Sequence, residues 1–377
     1  MKRLLSASFI IFVSTFFTLI VLEVSYRLVE GIPLNKLENQ VYKQRNLLGI
    51  TDQNIYNPLV GWSLAPHTQS SMMTTGEHGI RMNAATITAI KQGGVLAVGD
   101  SFTAGSEVQD HETWPAVLAK IINQPVINAA AGGYGADQII LRAEEMMPHA
   151  QPKITIISYF IGSIDRATYK TYGGGNKPYF VFENGTLVHK NNPVPPLQAS
   201  REDIGTTRFI FGYSHLIDHL MSQHLPSYWL EIYNKVHGYS EITEYLATTY
   251  TPLLWSAINS IDNDKVKIAC GLLERIKHKT DPQNIRLIFL IQFGIGQIVQ
   301  WEQQPDYSKM VEACAKEMSI ETFNTWDYFK NMEDKNDPEK IKKMAMMHGE
   351  NNIYGHHSPL GNRLLAEEIT RQFFQNY

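Results

Sequence analysis

From Gly94 onward, short apolar runs alternate with helix-length amphipathic stretches, and this alternation constrains the fold more than any other feature of the chain. Val95–Val98, Val126–Asn128, Ile154–Phe160 and the run from Ile285 to Phe293 are each short and nearly continuous in apolar residues. Runs of that kind suit strands buried on both faces of a sheet. Between them lie ETWPAVLAKII, with Pro115 in a first helical turn, and ADQIILRAEEMM. PDYSKMVEACAKEM follows the fourth run, SIETFNTWDYF supplies a last short strand, and SPLGNRLLAEEITRQFF closes the chain as a helix with Pro359 near its start. Strands that alternate with helices need crossover connections, so the pattern predicts an α/β layered fold around a parallel sheet.

The alternation breaks between residues 166 and 283, which read as an insertion. Tyr179–Lys190 has the pattern of a hairpin, with Asn184-Gly185 as its tight turn, and residues 200–282 are mostly helical and aromatic-rich. At the other end, Lys2 and Arg3 precede an uncharged stretch from Leu4 to Leu22. At about 1.5 Å per residue it reaches about 28 Å, close to the thickness of a bilayer core. The Glu-Val-Ser-Tyr-Arg that follows offers no small-residue cleavage site, so an uncleaved membrane anchor is expected. The two cations favour a cytoplasmic N-terminus and a body outside the cytoplasm. Residues 1–27 are then a transmembrane anchor, 28–93 a polar stalk and lead-in, and 94–377 the globular body.

Across 377 residues there are 33 Lys and Arg against 37 Asp and Glu, with no long basic run, which argues against nucleic acid as a partner. Two cysteines cannot build a disulfide framework or a four-cysteine zinc site. Outside the cytoplasm Cys270 and Cys314 could bond to each other, and two buried thiols are equally open. His356-His357 could suggest a metal, but adjacent side chains point apart and no Cys or Asp partner sits at ligand spacing. Gly294-Ile295-Gly296 hints at a dinucleotide loop, but Val299 stands where the third glycine belongs. No metal and no cofactor are expected.

Three strand ends carry chemistry. Gly99-Asp100-Ser101 puts a hydroxyl at the crevice outside the carboxyl edge of a parallel sheet, although Asp and Ser are also ordinary helix caps. The run from Asn128 to Gly135 is made of small residues that let backbone N–H groups approach an oxyanion. Gly162-Ser163-Ile164-Asp165 follows the third strand. Ahead of the last helix, a histidine in Gly355-His356-His357-Ser358-Pro359-Leu360-Gly361 could serve a serine as general base.

Together these segments resemble the SGNH hydrolases, also called GDSL esterases. VLAVGDSFTAGSEVQDHETWPAVLAK, VINAAAGGYGADQIILR and HHSPLGNRLLAE carry the resemblance, which runs from about Gly94 to the C-terminus. It implies a flavodoxin-like three-layer α/β/α sandwich and hydrolysis or transfer of acyl esters on lipids or carbohydrates. The family nucleophile falls on Ser101, its oxyanion glycine on Gly133, and its catalytic histidine on His356, five residues before Gly361. Two positions depart from the family pattern. Ser163 or Ile164 stands where an asparagine helps bind the oxyanion, and of these only Ser163 can donate a hydrogen bond. Ile353 and Tyr354 stand where an acid would orient the histidine. His356 must therefore rely on a backbone carbonyl, on Asn351 or Asn352, or on a distant carboxylate such as Glu350.

The expected function is a membrane-anchored serine esterase or acyltransferase acting on a small-molecule, lipid or glycan ester of the envelope. The oxyanion hole would be the backbone N–H groups of Ser101 and Gly133, with Ser163. The departures leave a second reading open, a carbohydrate- or acyl-binding protein on the same fold.

Overall fold

The computed structural model describes residues 2–41, 54–83, 90–172, 175–196, 201–225, 229, 233–235, 252–332, 338–349 and 353–375. Helix α1 covers Lys2–Val29. A hairpin follows, β1 (Asn54–Asn57) and β2 (Gly61–Leu64). The body opens with β3 (Val95–Val98), the four-residue helix α2 (Ser101–Ala104), α3 (Trp114–Ile122) and β4 (Val126–Asn128). It continues with α4 (Ala136–Ala150), β5 (Ile154–Phe160) and α5 (Ile161–Arg166).

The insertion contributes β6 (Tyr169–Tyr172), β7 (Gly175–Asn176), the hairpin of β8 (Tyr179–Glu183) and β9 (Thr186–Lys190), α6 (Arg201–Phe211), α7 (His215–His224) and β10 (Tyr233–Lys235). Asn184 and Gly185 both have positive φ at the hairpin turn, as an Asn-Gly connection requires. The chain returns through the long α8 (Pro252–Thr280) to β11 (Arg286–Gln292), α9 (Ile295–Gln300), α10 (Asp306–Glu317) and β12 (Glu321–Asn324). It ends with α11 (Thr325–Lys330), α12 (Pro338–Lys342), the hairpin of β13 (Ala345–His348) and β14 (Ile353–His357), and α13 (Pro359–Phe373).

The central sheet has five parallel strands in the order β12-β11-β5-β3-β4. Counted along the chain this is the 2-1-3-4-5 order of flavodoxin-like folds, with its switch point between β3 and β5. The connection from β3 to β4 runs one way along the sheet and all later ones run the other. Right-handed crossovers therefore place α3 on one face and α4, α8 and α10 on the opposite one. The packing agrees: α3 lies against α13, while α8 lies against both α4 and α10. Every residue of β3, β4 and β5 is buried, which explains why these strands read as continuous apolar runs rather than alternating ones. Cys270 on α8 and Cys314 on α10 form a disulfide within that second layer.

Two N-terminal expectations change. Residues 54–83 lack any sustained period, yet they are not a free stalk. Val60, Trp62, Leu64, Met73, Ile80 and Met82 are buried in the main core. Their backbone is held from the body: Tyr134 Oη donates to Trp62 O at 2.6 Å and Gln138 Nε2 to Val60 O at 2.7 Å. The anchor expectation also finds no support. Among the described residues no helix is long and apolar enough to cross a membrane, and the side chains of 2–8 and 11–12, within the expected span, lie outside them. The C-terminal end of α1 docks on the insertion, where Glu23 accepts from the N–H groups of His215 and Leu216 at 2.9 and 3.0 Å. A carboxylate at the start of α7 meets unpaired donors and the positive end of the helix dipole.

Candidate active site

Ser101 is the first residue of α2, directly beyond β3 and at the switch point of the sheet. Asp100 caps the helix, its Oδ1 accepting from Phe102 N–H at 3.0 Å. The cap reading of Asp100 and the crevice reading of Ser101 are thus both correct, for neighbouring residues. His356 reaches the same point from β14, placing Nε2 2.8 Å from Ser101 Oγ. The next residue, His357, points the other way, as alternation along a strand demands. It is buried against Phe102 and Phe329, neither ring nitrogen has a partner, and burial pushes it down to about 3, so it is neutral. His357 is therefore a core residue.

The acid that sequence reasoning missed is Glu107. Its Oε1 lies 2.6 Å from His356 Nδ1 and its Oε2 accepts from His356 N–H at 3.1 Å. Glu107 is not among the partners named from the sequence for His356. Asn351, Asn352 and Glu350, named for that task, lie outside the described residues. Glu107 comes from the same segment as Ser101. Helix α2 ends after one turn because Gly105 takes the left-handed conformation, φ +75°, and sends the chain back beside its start. Arg81 fixes that return. Its guanidinium, almost fully buried, donates to Ala104 O and Val108 O at 2.6 Å each and also to Gly105 O, and Nε pairs with Asp110 at 2.9 Å. Burial pushes the Glu107 carboxyl up, but hydrogen bonds from His356 and from His348, whose Nε2 lies 2.9 Å from Oε2, outweigh it and hold the group below the usual carboxylate range.

The oxyanion side is less complete. The loop after β4 follows the end of β3, with Ala131 N–H donating to Gly99 O at 3.3 Å. Gly133 lies two residues on, with φ +77°, where an added Cβ would stand 3.1 Å from the Tyr172 ring. Ser163 departs from its expected role. It is fully buried and its hydroxyl bonds Asp100 Oδ2 at 3.2 Å, so its single proton is spent on that carboxylate and not on an oxyanion. Arg166 pairs with the same Oδ2 at 2.9 Å and lies over the Tyr172 ring. The third strand end is thus tied to the first through Asp100.

Gly294 caps α9 and Gly296 lies in its first turn; an added Cβ at Gly296 would come within 2.9 Å of Tyr354 Cβ, so glycine there lets the histidine-bearing hairpin pack closely. Among the described residues no group of three or more His, Cys, Asp or Glu could hold a metal.

No protein-family model matches the chain, and no curated protein matches it. Solved structures similar to it include a lipolytic protein of the G-D-S-L family from Desulfitobacterium hafniense, 15% identical, covering 74% of this chain and 98% of that one, with a TM-score of 0.34. An acetyl xylan esterase is 13% identical, covering 74% and 99%, with a TM-score of 0.39. A catalytic mutant of an acetylxylan esterase from Geobacillus stearothermophilus is 14% identical, covering 76% and 96%, also at 0.39. At such values the likeness carries no argument about chemistry, which rests on this chain's own residues.

Proposed function

We propose that the protein is a serine esterase or acyltransferase working through an acyl-serine intermediate. The observation that carries this reading is the unbroken line from Ser101 Oγ through both nitrogens of His356 to Glu107 Oε1. Ser101 Oγ gives its proton to His356 Nε2 and attacks the ester carbonyl carbon. The N–H groups of Ser101 and Gly133 stabilise the negative oxygen. The imidazolium, stabilised by Glu107, returns the proton to the leaving alcohol as the carbon–oxygen bond breaks. A water molecule, or a second alcohol in transfer, then loses its proton to His356 and attacks the acyl-serine, releasing acid or new ester and restoring Ser101. With Ser163 committed elsewhere, the hole is short of one donor, a lack worth about 10²–10³ in rate. Turnover is accordingly slow.

The same lack favours the second reading, a binding protein on this fold, although Glu107 removes half of its motivation. An organophosphonate serine probe separates the two. We expect labelling of the purified protein on Ser101 and none in Ser101→Ala. Absence of labelling, under conditions that label a known esterase, supports the binding protein.

We also propose a body outside the cytoplasm, held at a membrane by α1 and meeting an envelope lipid or glycan ester. The Cys270–Cys314 disulfide supports an oxidising space, and Phe9, Ile10, Phe16 and Phe17 of α1 are exposed. A reporter active only outside the cytoplasm, fused after Tyr377, should be active.

A further inference from the structure

The two oxygens of Glu107 have separate duties. Oε1 faces His356 Nδ1 at 2.6 Å, while Oε2 faces His348 Nε2 at 2.9 Å besides accepting from His356 N–H. His348 ends β13 and pairs across the hairpin with Ile353, so it travels with the strand that bears His356. The hairpin is built to admit the contact. An added Cβ at Gly355 would strike both Glu107 Oε2 and His348 Nε2, so only glycine lets carboxylate and imidazole meet there. Glu107 itself stands on a loop behind a four-residue helix. Without His348, Oε2 would keep only the longer 3.1 Å bond from His356 N–H, and no side chain would hold it.

We propose that His348 is a positioning residue for the catalytic acid: its Nε2–H holds Glu107 Oε2, so that Oε1 stays on His356 Nδ1. This rests on the reading of Ser101, His356 and Glu107 as a working triad. Two imidazoles share one carboxylate. The hydrogen bond to His348 is already one of the causes that keep Glu107 ionised. Glu339, Lys342 and Lys343, of α12 and the turn after it, line a surface recess with Ala345 and Met347 of this strand. Glu350 lies outside the described residues.

The test uses the full chain with His348→Gln, which keeps a donor without a titrating charge, and His348→Ala, which keeps neither. Hydrolysis of an aryl acetate is followed against pH, and the low-field imidazole N–H proton of His356 is followed by NMR. In His348→Ala we expect kcat to fall about tenfold with KM unchanged, the cost of a misaimed acid, and the low-field signal to move. His348→Gln should restore kcat and the signal, because it keeps the donor. An alanine variant matching the native protein in kcat and proton signal overturns the proposal. So does a glutamine variant as impaired as the alanine one. His348 is half-exposed, so both variants should fold. Failure of the triad reading looks different: the native protein would neither turn over nor label, while the proton signal, which needs no turnover, would still respond to His348.

Discussion

Ser101 and Ser163 show how one residue type takes opposite roles through its partners. Ser101 faces an imidazole that can accept its proton; Ser163 faces the Asp100 carboxylate and is locked as a donor. The Ser101–His356 pair was legible because each member sits in a short motif beside a strand end. Glu107 was not, although GDSFTAGSE holds a clue: a glycine four residues after the serine ends the helix, and an acid follows two residues later. Replacement of Glu107 by Gln keeps the shape but removes the charge that stabilises the imidazolium. It should lower kcat by about 10²–10⁴. Ser163→Ala should cost less than about tenfold, because an oxyanion donor would cost about 10²–10³. Aryl acetate kinetics on the two variants decide it, and a Ser163 loss in the oxyanion range would restore that residue to the hole.

At the level of elements, the site depends on how short α2 is. One turn puts Ser101 at the crevice, Gly105 reverses the chain, and Arg81 clamps the reversed segment so that Glu107 returns to within reach of His356. A side chain at Gly105 would meet Thr113 Cγ2 at 2.5 Å and would have to hold the left-handed conformation. Gly105→Ala should therefore lose about 1–2 kcal/mol from the backbone alone. It should also lower kcat far more than it raises KM, since the base loses its acid while the binding surfaces stay. Urea unfolding and steady-state kinetics on the same preparation check both; a stable variant with native kcat would show that the turn does not set the acid.

Over the whole molecule, the Ser101–His356 hydrogen bond joins segments 255 residues apart, which only the layered topology brings together. The nucleophile segment leaves the middle of the sheet, and the histidine hairpin arrives just before α13, which packs on α3. The opposite layer is closed by the disulfide between α8 and α10, spanning 44 residues. Neither helix carries a residue of the triad. Loss of that link, in a Cys270→Ser, Cys314→Ser double variant, should lower stability by roughly 2–4 kcal/mol. Turnover at 25 °C should stay unchanged. Denaturant midpoints with and without reductant measure the first, and a matching loss of kcat would tie this layer to the site.

Period and turn chemistry are properties of near neighbours, and they sufficed for the strand–helix alternation around a parallel sheet, the Asn184-Gly185 hairpin and the placing of Ser101 beyond the first strand of the body and His356 ahead of the last helix. Contacts between distant segments carry no such local signature. Residues 54–83 look irregular because their order comes from partners such as Tyr134 and Gln138, not from a repeat of their own. The acid on His356 was expected near it in sequence, but a carboxylate needs only to lie within hydrogen-bond reach. Arg81, buried among backbone carbonyls remote from it in the chain, supplies the fold that brings Glu107 there.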